Sequence, residues 1–168
     1  MRPRTLKSAA EAGDLEAVEF HLENGADINA KTAAGLFALG GAVIKGHAPV
    51  VAFLIERGAN VNLKSEYGWT PLYLAARNGN HQIAKLLLTA GARLSSKTKP
   101  GINSPNGYSA LHIAAERGHI AVVKLLVEAG ARINSRDGKR RTPLDVALQE
   151  RKRRVAEFLT AAAERSDS

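Results

Sequence analysis

The 168-residue sequence contains no cysteine, which excludes disulfide bonds, thiol catalysis and cysteine-ligated zinc. It also has no apolar run near the ~18–20 residues that a membrane span requires. The basic first residues, 1–7, are not followed by the apolar core of a secretory signal. From the missing membrane span and signal we expect a soluble intracellular protein, most simply a cytoplasmic one; the lack of cysteine does not fix the compartment.

Motifs for chemistry are absent too. The five histidines include no pair at the i, i+4 spacing of a helical zinc site. The glycine-rich stretch 35–46 ends in Gly46-His47 and lacks the lysine and hydroxyl residue of a phosphate loop. No serine or threonine lies in a nucleophile-elbow pattern. We therefore expect no enzyme, and no catalytic, cofactor-binding or metal-binding residue.

The feature that the sequence does contain is an internal repeat. Two glycine markers recur in step, at spacings of 33, 33 and 39 residues. The first marker is the pair Gly25-Ala26, Gly58-Ala59, Gly91-Ala92 and Gly130-Ala131, and the second is Gly13, Gly46, Gly79 and Gly118. Repeats of this length stack into a solenoid that presents an extended surface instead of an enclosed cleft. Such a surface suits binding to another macromolecule.

The repeat between residues 64 and 96 shows the physics of one unit. Thr70 is a suitable N-cap and Pro71 suits the first helical turn, where a missing N–H costs nothing. Gly79 permits the left-handed conformation that ends the helix. A second helix with apolar residues at helical spacing then runs to Gly91. Each repeat is thus predicted to be a pair of antiparallel helices.

This unit resembles the ankyrin repeat, whose hallmarks include Thr-Pro-Leu-His, Ala-Ala, Gly-His and Gly-Ala-Asp-Val-Asn. Residues 107–134 match these hallmarks with Ala110-Leu111-His112, Ala114-Ala115, Gly118-His119 and Gly130-Ala131. The resemblance implies an all-α ankyrin-type solenoid with hairpin-like finger loops, in a single domain over residues 1–168. We expect five repeats at about 4–30, 31–63, 64–96, 103–135 and 136–163, with the first and last acting as caps and a loop insertion at about 97–102.

Repeat two departs from the pattern. It reads Phe37-Ala38-Leu39-Gly40 in place of Thr-Pro-Leu-His, so the first helix lacks a threonine cap and contains Gly40 and Gly41. Each interior glycine costs about 1 kcal/mol relative to alanine, and the lost cap costs about another 1 kcal/mol. We expect this to be the softest internal repeat, either through ordinary drift or because it leaves a notch at the two glycines.

The resemblance also implies which residues face a partner. In ankyrin solenoids the finger tips and the exposed ends of the first helices line a concave face. The finger position before each helix cap holds Leu36, Trp69, Tyr108 and Arg141, and the neighbouring position holds Tyr67, Asn106 and Lys139. The exposed helix ends add Lys45, Arg77, Asn78, Glu116 and Arg117. Tryptophan, tyrosine and arginine are enriched at interface hot spots. The alternative for the aromatic residues is that they cover the backbone of their own finger.

Charge supports a second interpretation. The net charge is +8, and eight basic residues lie between Ser135 and Arg154: Arg136, Lys139, Arg140, Arg141, Arg151, Lys152, Arg153 and Arg154. This excess is typical of a solvated cap, or of a patch for nucleic acid or an acidic membrane. The interpretation that we favour is a monomeric, non-enzymatic module that binds a protein through its concave face as an inhibitor, adaptor or scaffold. The alternative is an anionic partner at the basic last repeat.

Overall fold

The computed structural model describes residues 5–32, 35–99 and 107–166. Within these ranges the chain forms ten helices and no strand. The helices pair in chain order, two to a repeat: α1 (Leu6–Ala12) with α2 (Leu15–Glu23), α3 (Ala38–Lys45) with α4 (Ala48–Glu56), α5 (Pro71–Asn78) with α6 (His81–Thr89), α7 (Ala110–Arg117) with α8 (Ile120–Glu128), and α9 (Pro143–Gln149) with α10 (Arg153–Ser166). The predicted all-α architecture is confirmed.

The predicted helix signals act as expected in the regular repeats. The Thr70 hydroxyl accepts a hydrogen bond from the backbone N–H of Tyr73 at 3.2 Å, and Ser109 caps α7 in the same way. Gly79 ends α5 with φ 70°, a left-handed conformation that glycine adopts without a steric penalty. In α3 the N-cap position is Phe37, which makes no side-chain cap hydrogen bond. The predicted loss of this cap is confirmed.

One continuous apolar core runs through the stack. The second helices contribute a leucine at one repeated position, Leu54, Leu87 and Leu126, and each of these side chains is fully buried. The first helices contribute the small residues Ala42, Ala75 and Ala114, all with no exposed surface. Small side chains at these positions allow neighbouring first helices to pack closely.

Hydrogen bonds connect each repeat to the one before it through one repeated carbonyl position. His47 Nε2 donates to the Glu11 carbonyl oxygen at 3.0 Å, and His119 Nε2 donates to that of Arg77 at 3.1 Å. In repeat three, where Asn80 replaces this histidine, the Asn78 side-chain amide donates to the carbonyl of Ile44 at 3.0 Å. These contacts brace neighbouring repeats against one another.

Four fingers precede the first helices of repeats two to five. Each is closed by a backbone hydrogen bond to an equivalent residue, from Thr32 to Leu36, Ser65 to Trp69, Thr98 to Tyr108 and Asp137 to Arg141. The inserted residues therefore enter after Thr98, inside the third of these fingers. Within the expected insertion at about 97–102, Thr98 takes part in closing the finger, and residues 100–102 lie outside the described ranges, so the bounds stay a prediction.

Repeat two does not have the notch that its glycines suggested. A Cβ atom added to Gly40 would lie 2.9 Å and 3.1 Å from two carbons of the Phe37 ring. One added to Gly41 would lie 2.8 Å from Cγ of Glu11. Phe37 and Glu11 therefore fill the space above the two glycines, and Phe37 is only 2% exposed. Packing occupies the room that the absent side chains leave.

Candidate binding surface

The fingers and the C-terminal turns of the first helices form the surface that we call the concave face. In repeat three this surface carries a cluster of stacked rings. The Tyr67 and Trp69 ring centroids are 5.2 Å apart, and those of Trp69 and Tyr73 are 6.1 Å apart with planes within 14° of parallel. The Arg77 guanidinium carbon lies 5.2 Å from the Trp69 ring centroid. We name Tyr67, Trp69, Tyr73 and Arg77 the aromatic cluster.

The members of the aromatic cluster differ in exposure. Tyr67 is 40% exposed, Trp69 and Arg77 are half-buried, and Tyr73 is buried. Burial raises the pKa of Tyr73 to about 12; Arg77 has a smaller lowering effect, and Glu116 raises the pKa further. Tyr73 is therefore neutral at physiological pH, and its ring stacks against the indole of Trp69. Trp69, Tyr67 and Arg77 keep part of their surface exposed.

The cluster continues toward repeat two through apolar side chains. Ile44 occupies the position equivalent to Arg77 and is 38% exposed, while Leu36 is half-buried at the position equivalent to Trp69. Lys45 is exposed beside Ile44. Two of the five large apolar side chains that are exposed in the described chain, Ile44 and Tyr67, thus lie on this face.

Tyr108 requires a correction. Its side chain is 1% exposed, so it cannot supply contact area to a partner, although we had expected it to lie on the binding face. The ring stacks on His112 with centroids 5.3 Å apart, and the hydroxyl accepts a hydrogen bond from Arg141 Nη2 at 3.1 Å. Burial, followed by the neighbouring Glu116, raises the pKa of Tyr108 well above its usual range. Tyr108 therefore fits the alternative stated for these aromatic residues, in which the ring covers the backbone of its own finger.

Arg141 is similarly committed to internal contacts. Its guanidinium forms an ion pair with Asp137 at 2.8 Å and donates to Gln149 Oε1 at 2.6 Å. Burial alone would raise the pKa of Asp137, but the hydrogen bonds from Arg141 and Lys139 outweigh burial and lower it. The pair stabilises the finger of repeat five. Arg141 therefore mainly stabilises its own finger, and 23% of its side chain is left exposed.

The remaining predicted residues line the edge of the face. The Asn78 side chain is exposed, but its amide is used in the bond to Ile44 described above. Glu116 and Arg117 lie 3.6 Å apart, with Glu116 the more buried of the two. Lys139 is exposed at the tip of its finger. Asn106 lies outside the described residues. The face is thus apolar and aromatic at repeats two and three and charged at repeats four and five.

Sequence reasoning missed the role of Tyr73. The residue stands at the place of histidine in the Thr-Pro-Leu-His start, a position for which we predicted no role in binding. The signal that could have revealed it is the spacing of four residues from Trp69, which puts both rings on one side of the helix start. Tyr67 joins them only because the finger folds back, and this fold is a tertiary feature.

The basic residues of repeat five are spread over several environments. Arg153 pairs with Glu157 at 2.7 Å, and Lys152 lies over Gly118, where a Cβ atom would be 3.0 Å from its Cδ. Arg140 and Arg151 adopt positive φ values of 62° and 54°. Glycine occupies the equivalent of Arg140 in repeats two to four and that of Arg151 in repeats one to four. Three of the eight cations, Arg141, Lys152 and Arg153, thus make contacts within the chain.

In the part of the chain that the structure describes, no group of three or more His, Asp or Glu side chains is arranged to hold a metal ion. None of the helices in these ranges has the length and apolar character that crossing a bilayer requires. The surface described above consequently remains the best candidate site.

A stack of helix pairs joined by fingers, with a contact face made by successive repeats, defines a helical repeat solenoid. A family model for ankyrin repeats matches residues 6–98 and 93–167. The chain therefore belongs to the ankyrin-repeat family, as its resemblance implied. Ankyrin repeats are generally protein–protein interaction modules, and the family is typically non-enzymatic. No curated protein sequence matches the chain.

Proposed function

We propose that this protein binds a protein partner through its concave face and performs no chemistry of its own. The observation that carries the proposal is the aromatic cluster, in which Tyr67, Trp69 and Arg77 are presented on a buried platform. Rings and guanidinium groups held in this way supply large contact area with little further loss of side-chain entropy. All of these residues come from one chain, so the proposed binding unit is a single copy.

The chemistry of the face indicates what the partner would present. Leu36, Ile44 and Tyr67 form an apolar strip beside the half-buried indole. Cationic groups flank this strip at Lys45, Arg77 and Arg117. A partner that presents an apolar side chain with a carboxylate next to it would match both the strip and the cations. Opposite charges at the rim of an interface favour the correct orientation and faster association. The consequence for the partner would be inhibition, sequestration or scaffolding.

The alternative, an anionic partner at repeat five, has weaker support. Arg141 and Arg153 are paired with carboxylates, and Lys152 packs on Gly118. The other five cations, Arg136, Lys139, Arg140, Arg151 and Arg154, are exposed. Nucleic acid bound there would dissociate steeply with salt, because released counterions dominate such binding. Docking on the aromatic cluster would depend far less on salt.

The test is affinity capture from nuclease-treated lysate of the host, followed by measurement with the purified partner. The variant Tyr67→Ala/Arg77→Ala removes an exposed ring and a half-buried arginine and leaves the core intact. The matched control, Phe20→Ala/Arg57→Ala, removes an exposed ring from α2 and an exposed arginine at the C-terminal end of α4. We expect the first variant to raise Kd by about 30-fold, a hot-spot loss of about 2 kcal/mol, and the control to bind like the original chain.

Trp69 supplies a direct readout, because it is the only tryptophan in the sequence. Binding at the aromatic cluster should shift its emission and protect it from a soluble quencher. A partner that binds equally well to both double variants and leaves Trp69 emission unchanged would overturn the proposed site. Retention of nucleic acid alone would favour repeat five.

A further inference from the structure

The two ends of the stack carry the other three exposed large apolar side chains of the described residues. At the N-terminal end, Leu15 is 39% exposed and Phe20 is 47% exposed. At the C-terminal end, Leu148 is 60% exposed. The equivalents of Leu148 in the earlier repeats, Ala10, Val43, Ala76 and Ala115, have no exposed surface because the next repeat covers them.

Inside the chain, neighbouring repeats enclose a groove between their second helices. Each end of the stack carries the residues for only one side of such a groove. Between repeats two and three, Ala52, Ile55 and Glu56 of α4 face residues of α6 that include Gln82 and Leu86. The equivalents of the α4 residues on α10 are Glu157, Thr160 and Ala161, and these line an open cavity of about 650 Å³ together with Leu148. The equivalents of the α6 residues on α2 are Glu16 and Phe20, which line the opposite end.

The two ends also differ in charge. Residues 5–30 contain six acidic residues and one basic residue, whereas residues 136–163 contain eight basic and four acidic residues. The lining of the N-terminal cavity includes Asp14, Glu16 and Glu23, together with Glu19, which pairs with Arg57. The C-terminal cavity is lined by Arg151, Lys152 and Arg153, together with Glu157, which pairs with Arg153, and Glu164. The N-terminal end of one copy therefore complements the C-terminal end of another.

The register of the stack predicts which residues would meet at the centre of a joint, by which we mean the contact between the C-terminal end of one copy and the N-terminal end of the next. Within the chain, the residue after each marker glycine lies over the marker glycine of the preceding repeat. A Cβ on Gly13 would be 2.7 Å from the His47 ring, which is too close for a real Cβ, but one on Gly46 would be 3.7 Å from Asn80 Nδ2, an ordinary contact. Continued into a second copy, the same register puts Asp14 of that copy, a short N-cap residue like Asn80, over Arg151. This is the one marker position held by arginine, and the incoming residue is a carboxylate.

We propose that the occupant of each end is a second copy of this chain, stacked head to tail, with the acidic α1–α2 end of one copy on the basic α9–α10 end of the next. The contact is heterologous, so it leaves a free end after every addition and does not close. It departs from the monomer that the sequence led us to expect. It goes beyond the proposed partner binding, because it uses neither the fingers nor the aromatic cluster.

Sedimentation equilibrium of the 168-residue chain tests this. From about 10 μM to about 1 mM protein at low ionic strength, the weight-average mass should rise from 17.9 kDa past twice that value without a plateau. At about 0.5 M salt the rise should largely disappear, because the Debye length falls to a few ångströms. A chain that stays monomeric throughout overturns the proposal, as does one whose mass stops at a dimer.

Variants locate the joint without endangering the fold. Leu148→Glu/Arg151→Gly changes an exposed leucine and replaces a residue at φ 54° with the glycine that this conformation favours. Asp14→Asn/Phe20→Lys keeps a good helix N-cap. It removes one carboxylate and the exposed ring from the N-terminal end and adds a positive charge there. Each variant alone should be monomeric. Ile44→Ser and Lys85→Gln, which change exposed residues elsewhere, should associate like the original chain.

Mixing the two blocked variants gives the sharpest result. The first variant keeps an intact N-terminal end, and the second keeps an intact C-terminal end. Their mixture should form one-to-one dimers that cannot grow, with a mass of about 36 kDa expected from two copies. If the mixture stays monomeric while the original chain associates, the joint lies elsewhere and the proposal fails. The aromatic-cluster variant Tyr67→Ala/Arg77→Ala should associate normally, which separates this outcome from the proposed partner binding.

Discussion

Repeats two and three have the same helix-pair backbone but stabilise the start of the first helix differently. In repeat three the Thr70 hydroxyl caps α5, and Tyr73 packs under Trp69. In repeat two the equivalent residues are Phe37 and Gly40, and the Phe37 ring lies over the glycine instead of capping the helix. One repeat uses a local hydrogen bond, and the other uses packing between side chain and backbone.

A repeat can lose its helix-capping residue when a buried side chain stabilises the start of the helix instead. The lost cap and the two interior glycines suggest a cost of about 3 kcal/mol for repeat two if helix propensity alone is counted. Burial of Phe37 offsets part of this cost, because a fully buried aromatic ring contributes about 1.5–3 kcal/mol. The exposed surface differs too, because the Phe37 ring is buried whereas Tyr67 and part of Trp69 are exposed.

The largest expected effect comes from Phe37→Ala. Removing the ring leaves a cavity above Gly40 and restores no cap, so the free energy of unfolding should fall by about 3–5 kcal/mol. Urea denaturation followed by circular dichroism measures it. A loss below about 1 kcal/mol would show that the ring does not replace the cap.

Gly40→Ala should destabilise the protein although alanine is the better helix former. The added Cβ would lie 2.9 Å from the Phe37 ring, and overpacking of this kind costs about 1–3 kcal/mol. The double variant Phe37→Ala/Gly40→Ala should lose less than the sum of the single variants, because the ring no longer occupies the space. Stabilisation by Gly40→Ala alone would contradict the packing seen here.

Thr70→Ala should cost about 1 kcal/mol, because it removes the cap from α5 and leaves the core unchanged. Thr70→Ser keeps the hydroxyl and serves as the control. A similar loss in both variants, measured by urea denaturation, would show that the threonine methyl group matters more than the cap.

Hydrogen exchange sharpens the comparison locally. We expect amides between 36 and 46 to exchange about fivefold faster than those between 70 and 78, the factor for about 1 kcal/mol of lost capping. The uncapped first turn of α3 should show the largest difference. Equal protection of the two segments would mean that Phe37 compensates fully and that repeat two is not the softest internal repeat.

The smallest effect concerns pH, at the position that is Gly40, Tyr73 and His112 in successive repeats. Burial lowers the pKa of His112 below its ordinary value of 6.5, against the smaller raising effect of its hydrogen bond to the Arg141 carbonyl. Below that value the unfolded chain binds a proton that the folded chain excludes, so stability falls as pH drops from about 6.5. His112→Gln should flatten this dependence in urea melts between pH 7.5 and 5.5, whereas His81→Gln at an exposed site should not.

Much of the fold could be predicted because its signals are short in range and recur. The marker glycines, the Thr70 cap and the Gly-Ala pairs all act within one helix or turn, so spacing alone predicts the helix pairs. The candidate site was predicted less well. The resemblance placed Tyr67, Trp69 and Arg77 on the partner-facing side, which stays a prediction, but it also placed Tyr108 there although that ring is buried, and it did not indicate the packing of Tyr73 under Trp69.

The sequence by itself determined the repeat, its caps and the position of the fingers, because each depends on residues only a few places apart. The tertiary structure alone decided which aromatic side chains are presented to solvent. Tyr108 is buried because Arg141, from the next repeat, closes over its hydroxyl, while no equivalent arginine covers Trp69, since Tyr108 stands at that position. Exposure depends on what the neighbouring repeat places opposite a side chain, and only the folded stack brings those residues together.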